Sequence, residues 1–216
     1  MEPREELISS IQQGDLASVE RLVAEDRSLV NAQDAQGISA VIVSVYYGKP
    51  EITSLLLKRR PRLNLFDACA IGKVERVKSI LKRTPKLLNE FAPDGFQPLG
   101  LAAFFGHAEV VRFLLESGSE VNTPSQNGLK VTPLHSAAAG RHYEIAMLLL
   151  ERGANPNLRQ EGDFVPLHSA AQNGQIEMVK ILLQYGADKD LKSLDGKTAR
   201  DFALEHGHKI IAEVLE

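Results

Sequence analysis

The sequence predicts an all-α solenoid: a stack of about seven helix-turn-helix units with short β-turn or hairpin tips and polar units at both ends. Two observations carry this. Pro133-Leu134-His135-Ser136-Ala137-Ala138 recurs 33 residues later as Pro166-Leu167-His168-Ser169-Ala170-Ala171, and each copy leads into a Leu-rich run and then Gly-Ala. A fixed period in the thirties marks stacked copies of one supersecondary unit, each burying its apolar face only against its neighbours. The second observation is a row of glycines placed to end the first helix of each unit: Gly14, Gly48, Gly72, Gly106, Gly174 and Gly207, with Arg141 holding that place in the fifth unit. Their spacings are 34, 24, 34, 35, 33 and 33 residues. The units then run approximately 1–33, 34–62, 63–91, 92–124, 125–157, 158–190 and 191–216 as one domain.

The first unit replaces the apolar outer face with Glu5, Glu6, Ser9, Ser10, Gln12 and Gln13, as a terminal repeat requires. The second keeps Gly37, Gly48, Glu51 and Leu55-Leu56-Leu57 but has Ser39-Ala40-Val41-Ile42 where the Pro-Leu-His motif belongs. In the third, the helical pattern Leu65-Phe66-Asp67-Ala68-Cys69-Ala70-Ile71 starts directly after Asn64, so the short spacing reflects a missing turn. Gly14 and Gly72, Asn31 and Asn89, Gly37 and Gly95, and Gly48 and Gly106 all lie 58 residues apart. The first four units therefore read as two copies of a two-unit block, with the missing turn at the seam. The fourth unit carries Gln97-Pro98-Leu99-Gly100, without the His.

The fifth unit is the best copy. Thr132 is suited to cap its first helix and Pro133 to occupy the first turn, where a missing N–H costs nothing. Leu134, Ala137 and Ala138 point inward, and Ile145, Met147, Leu148, Leu149 and Leu150 supply the thicker packing of the second helix, which Gly153 ends. The sixth repeats this plan. The seventh substitutes Gly196-Lys197-Thr198-Ala199-Arg200-Asp201 for the motif, the mark of a polar cap.

The Thr-Pro-Leu-His-x-Ala core with two short helical patterns resembles the ankyrin repeat, over nearly the whole chain and most specifically in units four to seven. Phe66-Asp67-Ala68-Cys69-Ala70-Ile71-Gly72-Lys73-Val74-Glu75 and the Arg83-Thr84-Pro85-Lys86-Leu87-Leu88-Asn89 ending look like stand-alone bacterial members of that family. The resemblance implies a protein-interaction module, and it assigns His135 and His168 to hydrogen bonds tying each helix start to its own cap and to the adjoining turn. It also implies that partners meet the concave side, at turn tips and at the two residues before each marker glycine.

At those paired positions stand Gln12-Gln13, Tyr46-Tyr47, Ala70-Ile71, Phe104-Phe105, Ala139-Gly140, Gln172-Asn173 and Glu205-His206. Polar ends flank an apolar middle. Tyr46, Tyr47, Phe104 and Phe105 are four of only twelve Phe and Tyr residues. The missing turn predicts a notch with Ala70 and Ile71 as its floor, the aromatic pairs as walls, and tips at Gln36 and Ile38 on one side and Asp94 and Phe96 on the other. The expected partner-binding residues are accordingly Tyr46, Tyr47, Ile71, Phe104, Phe105, Ile38 and Phe96, taking a peptide segment or loop of a protein; exposed aromatics in one patch are what interface hot spots look like. Self-packing of these rings into the inner curve is the competing structural role. The turn 124–130, two residues longer than usual, is a second candidate contact.

Other function classes find little support. Net charge is −3 with Lys and Arg scattered, which leaves no footprint for nucleic acid. The first residues carry both charge signs, and no run of about 18 apolar residues occurs, so neither a leader nor a membrane span is expected. Cys69, the single cysteine, excludes an intrachain disulfide and fits a cytoplasmic location. It stands where other units carry an Ala, so a buried thiol is expected rather than a nucleophile. Glu205-His206-Gly207-His208 lacks a third ligand nearby. No catalytic residue, metal or cofactor is expected. The expected state is a monomer, with a weak homodimer through the same groove as the alternative.

Overall fold

The computed structural model describes residues 2–216, which contain fourteen α-helices, three single 3₁₀ turns and no strand. In chain order the helices form seven pairs: α1 (Pro3–Gln13) with α2 (Leu16–Glu25), α3 (Ala40–Tyr46) with α4 (Pro50–Lys58), α5 (Leu65–Ala70) with α6 (Val74–Arg83), and α7 (Pro98–Phe104) with α8 (Ala108–Glu116). Then come α9 (Pro133–Ala139) with α10 (Tyr143–Glu151), α11 (Pro166–Gln172) with α12 (Ile176–Gln184), and α13 (Ala199–Glu205) with α14 (Lys209–Val214). Helices this short are marginal alone in water, so stacking stabilises them. First helices pack on first helices at every junction. Second helices do the same, except that α4 and α6 approach each other less than any other neighbouring pair.

Local chemistry sets the helix limits. Thr132 caps α9 and Pro133 fills its first position, as expected. The marker glycines all adopt the left-handed conformation, with φ from 60° at Gly48 to 81° at Gly106. At Gly106 a Cβ would also come 2.5 Å from the His142 ring. Arg141 is forced into the same left-handed conformation, at φ 62°. A side chain there costs about 1–2 kcal/mol, part of which glycine returns as unfolded-chain entropy. Arg141→Gly should therefore stabilise the protein by about 0.5–1 kcal/mol, read as a higher urea midpoint at unchanged slope.

In α10 the buried stripe is Ile145, Ala146, Leu149 and Leu150, while Met147 is exposed. The helix turns 100° per residue, so Met147 cannot share the face of 145 and 149; the expected inward Met gives way to Ala146. Ser10 likewise turns inward from the polar N-terminal unit. Beside its polar residues, the last pair leaves Leu204, Ile210 and Val214 exposed.

The missing turn is present as a structural seam. Two ladders run along the regular junctions and both stop there. In the first, a backbone N–H of one tip donates to a carbonyl of the preceding tip: Gln126 to Gly95 (2.8 Å), Glu161 to Leu129 (2.9 Å) and Leu194 to Gly162 (2.8 Å). The corresponding place in the tip before is Pro93, which has no N–H to give; a Cβ on Gly37 would lie 3.6 Å from its ring. In the second ladder, an Asn side chain accepts from the backbone one unit on: Arg62 N–H to Asn31 (2.7 Å), Glu120 to Asn89 (3.1 Å), Asn155 to Asn122 and Asp188 to Asn157 (both 2.8 Å). Asn64 is diverted from this role and caps α5, accepting from Asp67 N–H at 2.8 Å.

Other contacts cross the seam. The Ser39 hydroxyl donates to the Asp67 carboxylate, which also accepts from Asn64 N–H. Burial pushes the Asp67 carboxyl above its usual range, against those hydrogen bonds. The buried apolar core accordingly divides in two. One cluster spans Leu7 to Leu56, and the other spans Leu65 to Leu215.

Candidate interaction site

Of the seven residues expected to gather in one notch, Tyr46, Phe96 and Phe104 line one hollow, Ile71 and Phe105 line another, and Tyr47 and Ile38 line neither. Tyr46, at the end of α3, leans across the seam: its ring lies 5.4 Å from Phe105, and its OH donates to Asp94 Oδ2 at 2.7 Å. Burial, and then the bond to Asp94, hold this phenol well above the usual tyrosine range. Phe104 stands edge-on to Phe105 at 5.0 Å. Tyr46, Phe105 and Phe104 thus form one aromatic run from the second unit to the fourth, spanning the position of the missing tip.

The first hollow lies on the Phe104 side of this run. It is lined by Tyr46, Phe96, Leu101 and Phe104, by Leu129 of the long turn and Val131 just after it, and by Ser136 and Ala139 of α9. Its volume is about 270 Å³. Gln160, Ser169 and His135 complete the wall. Tyr46, Phe104 and Leu129 are exposed, with Leu129 the most open at 54%. The two surface features singled out in the sequence, the aromatic pairs and the long turn, therefore meet in one place.

The second hollow, about 440 Å³, opens where α4 and α6 diverge and holds Ile71 and Phe105 with Leu57, Lys49, Lys73 and His107. Ala70 and Ile71 line this hollow together with Phe105, Ala70 buried and Ile71 packed partly against the N-terminal cluster, while Tyr46 and Phe104 line the other hollow. The contacts of Tyr46 with Asp94 and Phe105 link the second and fourth units across the seam. Tyr47 is exposed outside both hollows, and Ile38 is half-buried against the N-terminal cluster.

The histidines serve the stack. His135 Nδ1 accepts from Thr132, whose Oγ1 lies at 2.8 Å, and its Nε2–H faces Phe164 O at 3.2 Å. His168 Nδ1 accepts from Val165 N–H, and its Nε2 reaches Leu191 O at 2.9 Å. These are the two kinds of bond the family resemblance assigned. His107, His142 and His208, each following a marker position, donate to carbonyls of the preceding unit: Ala70 (2.9 Å), Phe104 (3.0 Å) and Gln172 (3.1 Å). Burial lowers the pKa of His107, His135 and His168, that of His135 to about 4. Cys69 is fully buried, and burial pushes its thiol far above the usual range, where no thiolate nucleophile forms near neutral pH. Among the described residues no three His, Cys, Asp or Glu side chains come together as metal ligands, and no helix is long and apolar enough to cross a membrane.

Comparison with known proteins agrees with this geometry. A family model described as ankyrin repeats (3 copies) matches residues 65–160, and one described as ankyrin repeats (many copies) matches residues 149–203. The matched region begins at the first residue of α5, directly after the seam. The human ankyrin repeat and KH domain-containing protein 1 is 41% identical over 94 residues, covering 44% of this chain and 4% of that protein. The putative E3 ubiquitin-protein ligase XBAT31 of Arabidopsis thaliana is 28% identical over 174 residues, covering 70% of this chain and 38% of its own. The probable 26S proteasome regulatory subunit p28 of Saccharomyces cerevisiae is 30% identical over 160 residues, 68% of this chain and 69% of that one. The chain thus spans much less than half the length of the first two of these relatives.

Proposed function

The chain belongs to the ankyrin-repeat family, whose repeats mediate protein–protein interaction, and we propose that it is a non-catalytic module taking a peptide segment or loop of a protein partner in its concave apolar groove. One observation carries the proposal: exposed Tyr46, Phe104 and Leu129 surround a single apolar hollow formed jointly by the seam aromatics and the long turn. A cluster of exposed aromatic and aliphatic side chains around a concavity supplies the desolvated anchors that dominate interface energetics. Tyr47, Phe105, Phe96, Ile38 and Ile71 extend the proposed contact region along the second to fourth units. The proposal sets the protein in the cytoplasm as a monomer when unbound.

Affinity capture from a lysate of the source organism tests it. The wild-type chain should retain a partner that the variant with Tyr46, Tyr47, Phe104 and Phe105 all changed to Ala loses by at least about tenfold, with helical circular dichroism preserved. Phe105 is half-buried, so the double variant Phe104→Ala, Leu129→Ala, which alters exposed groups only, separates lost binding from lost structure. Equal capture by wild type and both variants would refute the groove. Self-association is the competing occupant; a concentration-dependent dimer in light scattering, abolished by the same variants, would favour it.

A further inference from the structure

Lys and Arg, expected to be scattered, are concentrated at the seam. Residues 58–86 hold ten of them against two Asp and Glu, a net charge of +8, whereas the rest of the chain, with fifteen against twenty-six, carries −11. One of the two acids, Asp67, is buried. The basic band lies on α4 and α6, the second helices on either side of the seam, and on the segments that follow them. Arg76 ties the two together: its Nε and Nη2 donate to Leu63 O at 3.1 and 2.8 Å, which holds α6 against the residue next to Arg62. Among the described residues, only Lys78 of the ten has a carboxylate within 4 Å, that of Glu75, while six of the other fifteen Lys and Arg have one.

Two of these cations stand where the repeat calls for another residue. Arg60 adopts the left-handed conformation, at φ 56°, in the place that Gly118, Gly153 and Gly186 fill in later units. Arg76 lies four residues past its marker position, where other units bury Ile52, Val110, Ile145 and Met178. Strain and broken local rules persist at sites where function compensates for them. The helix dipole accounts for Lys58, Lys82 and Arg83 in the last turns of α4 and α6, but it opposes a cation at Arg76, in the first turn of α6. Exposed carboxylates bound the band on both sides: Glu25 and Asp26 at the end of α2, and Glu116 and Glu120 at and beyond the end of α8. We propose that the band binds a short acidic segment of a protein partner, its carboxylates paired with Arg60, Arg62, Arg76, Lys82 and Arg83. The guanidinium fork matches a carboxylate in shape as well as charge. Two neighbouring units span about 20 Å, room for about six residues of extended chain. A nucleic acid or a lipid surface continues past that length and would bring its phosphates against the flanking carboxylates.

The band shares no residue with the hollow of Tyr46 and Phe104, so it stands or falls apart from the groove. Fluorescence anisotropy of labelled hexaglutamate and hexaglutamine, titrated with the full chain at low salt, tests it. Hexaglutamate should bind at least about tenfold more tightly, weaken as salt is raised, and shift amide resonances centred on residues 58–86. Arg60→Gly should bind it about threefold more weakly and yet unfold at a higher urea midpoint, because the strain is relieved, so the loss is not one of structure. Arg60→Gly combined with Arg62→Ala and Arg83→Ala should lose at least about tenfold. The variant with Tyr46, Tyr47, Phe104 and Phe105 all changed to Ala should bind hexaglutamate as the wild type does. Equal binding of the two peptides, undiminished binding by the triple variant, or shifts centred elsewhere would each overturn the proposal. So would tighter binding of oligothymidine or of phosphatidylserine vesicles than of hexaglutamate.

Discussion

Acidification from pH 7.5 to about 4 is expected to remove about 3 kcal/mol of stability through His135 alone. In the unfolded chain this imidazole titrates near 6.5, whereas burial holds it at about 4 in the folded protein. A depressed folded-state pKa means that the unfolded chain binds the proton more tightly throughout that interval. Stability is full above about 6.5 and falls as the pH drops toward 4. The geometry explains the depression: Nε2–H is committed to Phe164 O, and Nδ1 must stay unprotonated to accept from Thr132. Protonation would break the cap of α9 and place a charge in the stack. His168 and His107 are shifted in the same direction by burial and steepen the loss. Urea unfolding at a series of pH values from 7.5 to 4.5 measures the slope. His135→Gln should be less stable at neutral pH but show a shallower dependence; an unchanged slope would exclude His135 as the source.

Leu56→Ala should cost about 3 kcal/mol and should do so unevenly along the chain. Leu56 is fully buried within the N-terminal cluster, which shares no buried apolar residue with the larger one. In a stacked array a defect spreads only as far as nearest-neighbour coupling carries it. At the seam that coupling has lost a tip-to-tip hydrogen bond, an Asn rung and much of the approach of α4 to α6. Amide hydrogen exchange in α1 to α4 should accelerate about a hundredfold in this variant, while that in α7 to α12 stays near wild type. Leu114→Ala, in the larger cluster, should show the complementary pattern. Acceleration of equal size in both blocks would show that the seam transmits stability as well as a regular junction does.

The solenoid is legible in the sequence because each repeat states its chemistry locally. Thr132 and Pro133 open a helix, Gly106 can adopt a conformation closed to most residues, and paired alanines allow close stacking. The seam is legible as well, since a spacing of 24 leaves no residues for a tip. The hollow is only half legible. Tyr46, Phe96 and Phe104 stand out by residue type, yet the sequence places their meeting point over Ala70 and Ile71, one unit too early. Tyr46 is tied across the seam by a hydrogen bond to Asp94, 48 residues away, which no local pattern encodes. Leu129 is visible only as part of a long turn. Met147 fails for a simpler reason, that in the apolar run of six residues from Ile145 to Leu150 every position resembles the core until the helical phase is known.

Pro93 bears on how the molecule carries load. Elsewhere along the tip line, a tensile force on the ends is shared by backbone hydrogen bonds between successive tips. At the seam Pro93 offers no N–H, and the line is carried by the reach of Tyr46 to Asp94. A molecule drawn out from its two ends would part first there, lengthening in two stages, with the hinge beside the hollow proposed to hold a partner. A partner wedged against Tyr46 and Phe104 would act as a splint across that weak link.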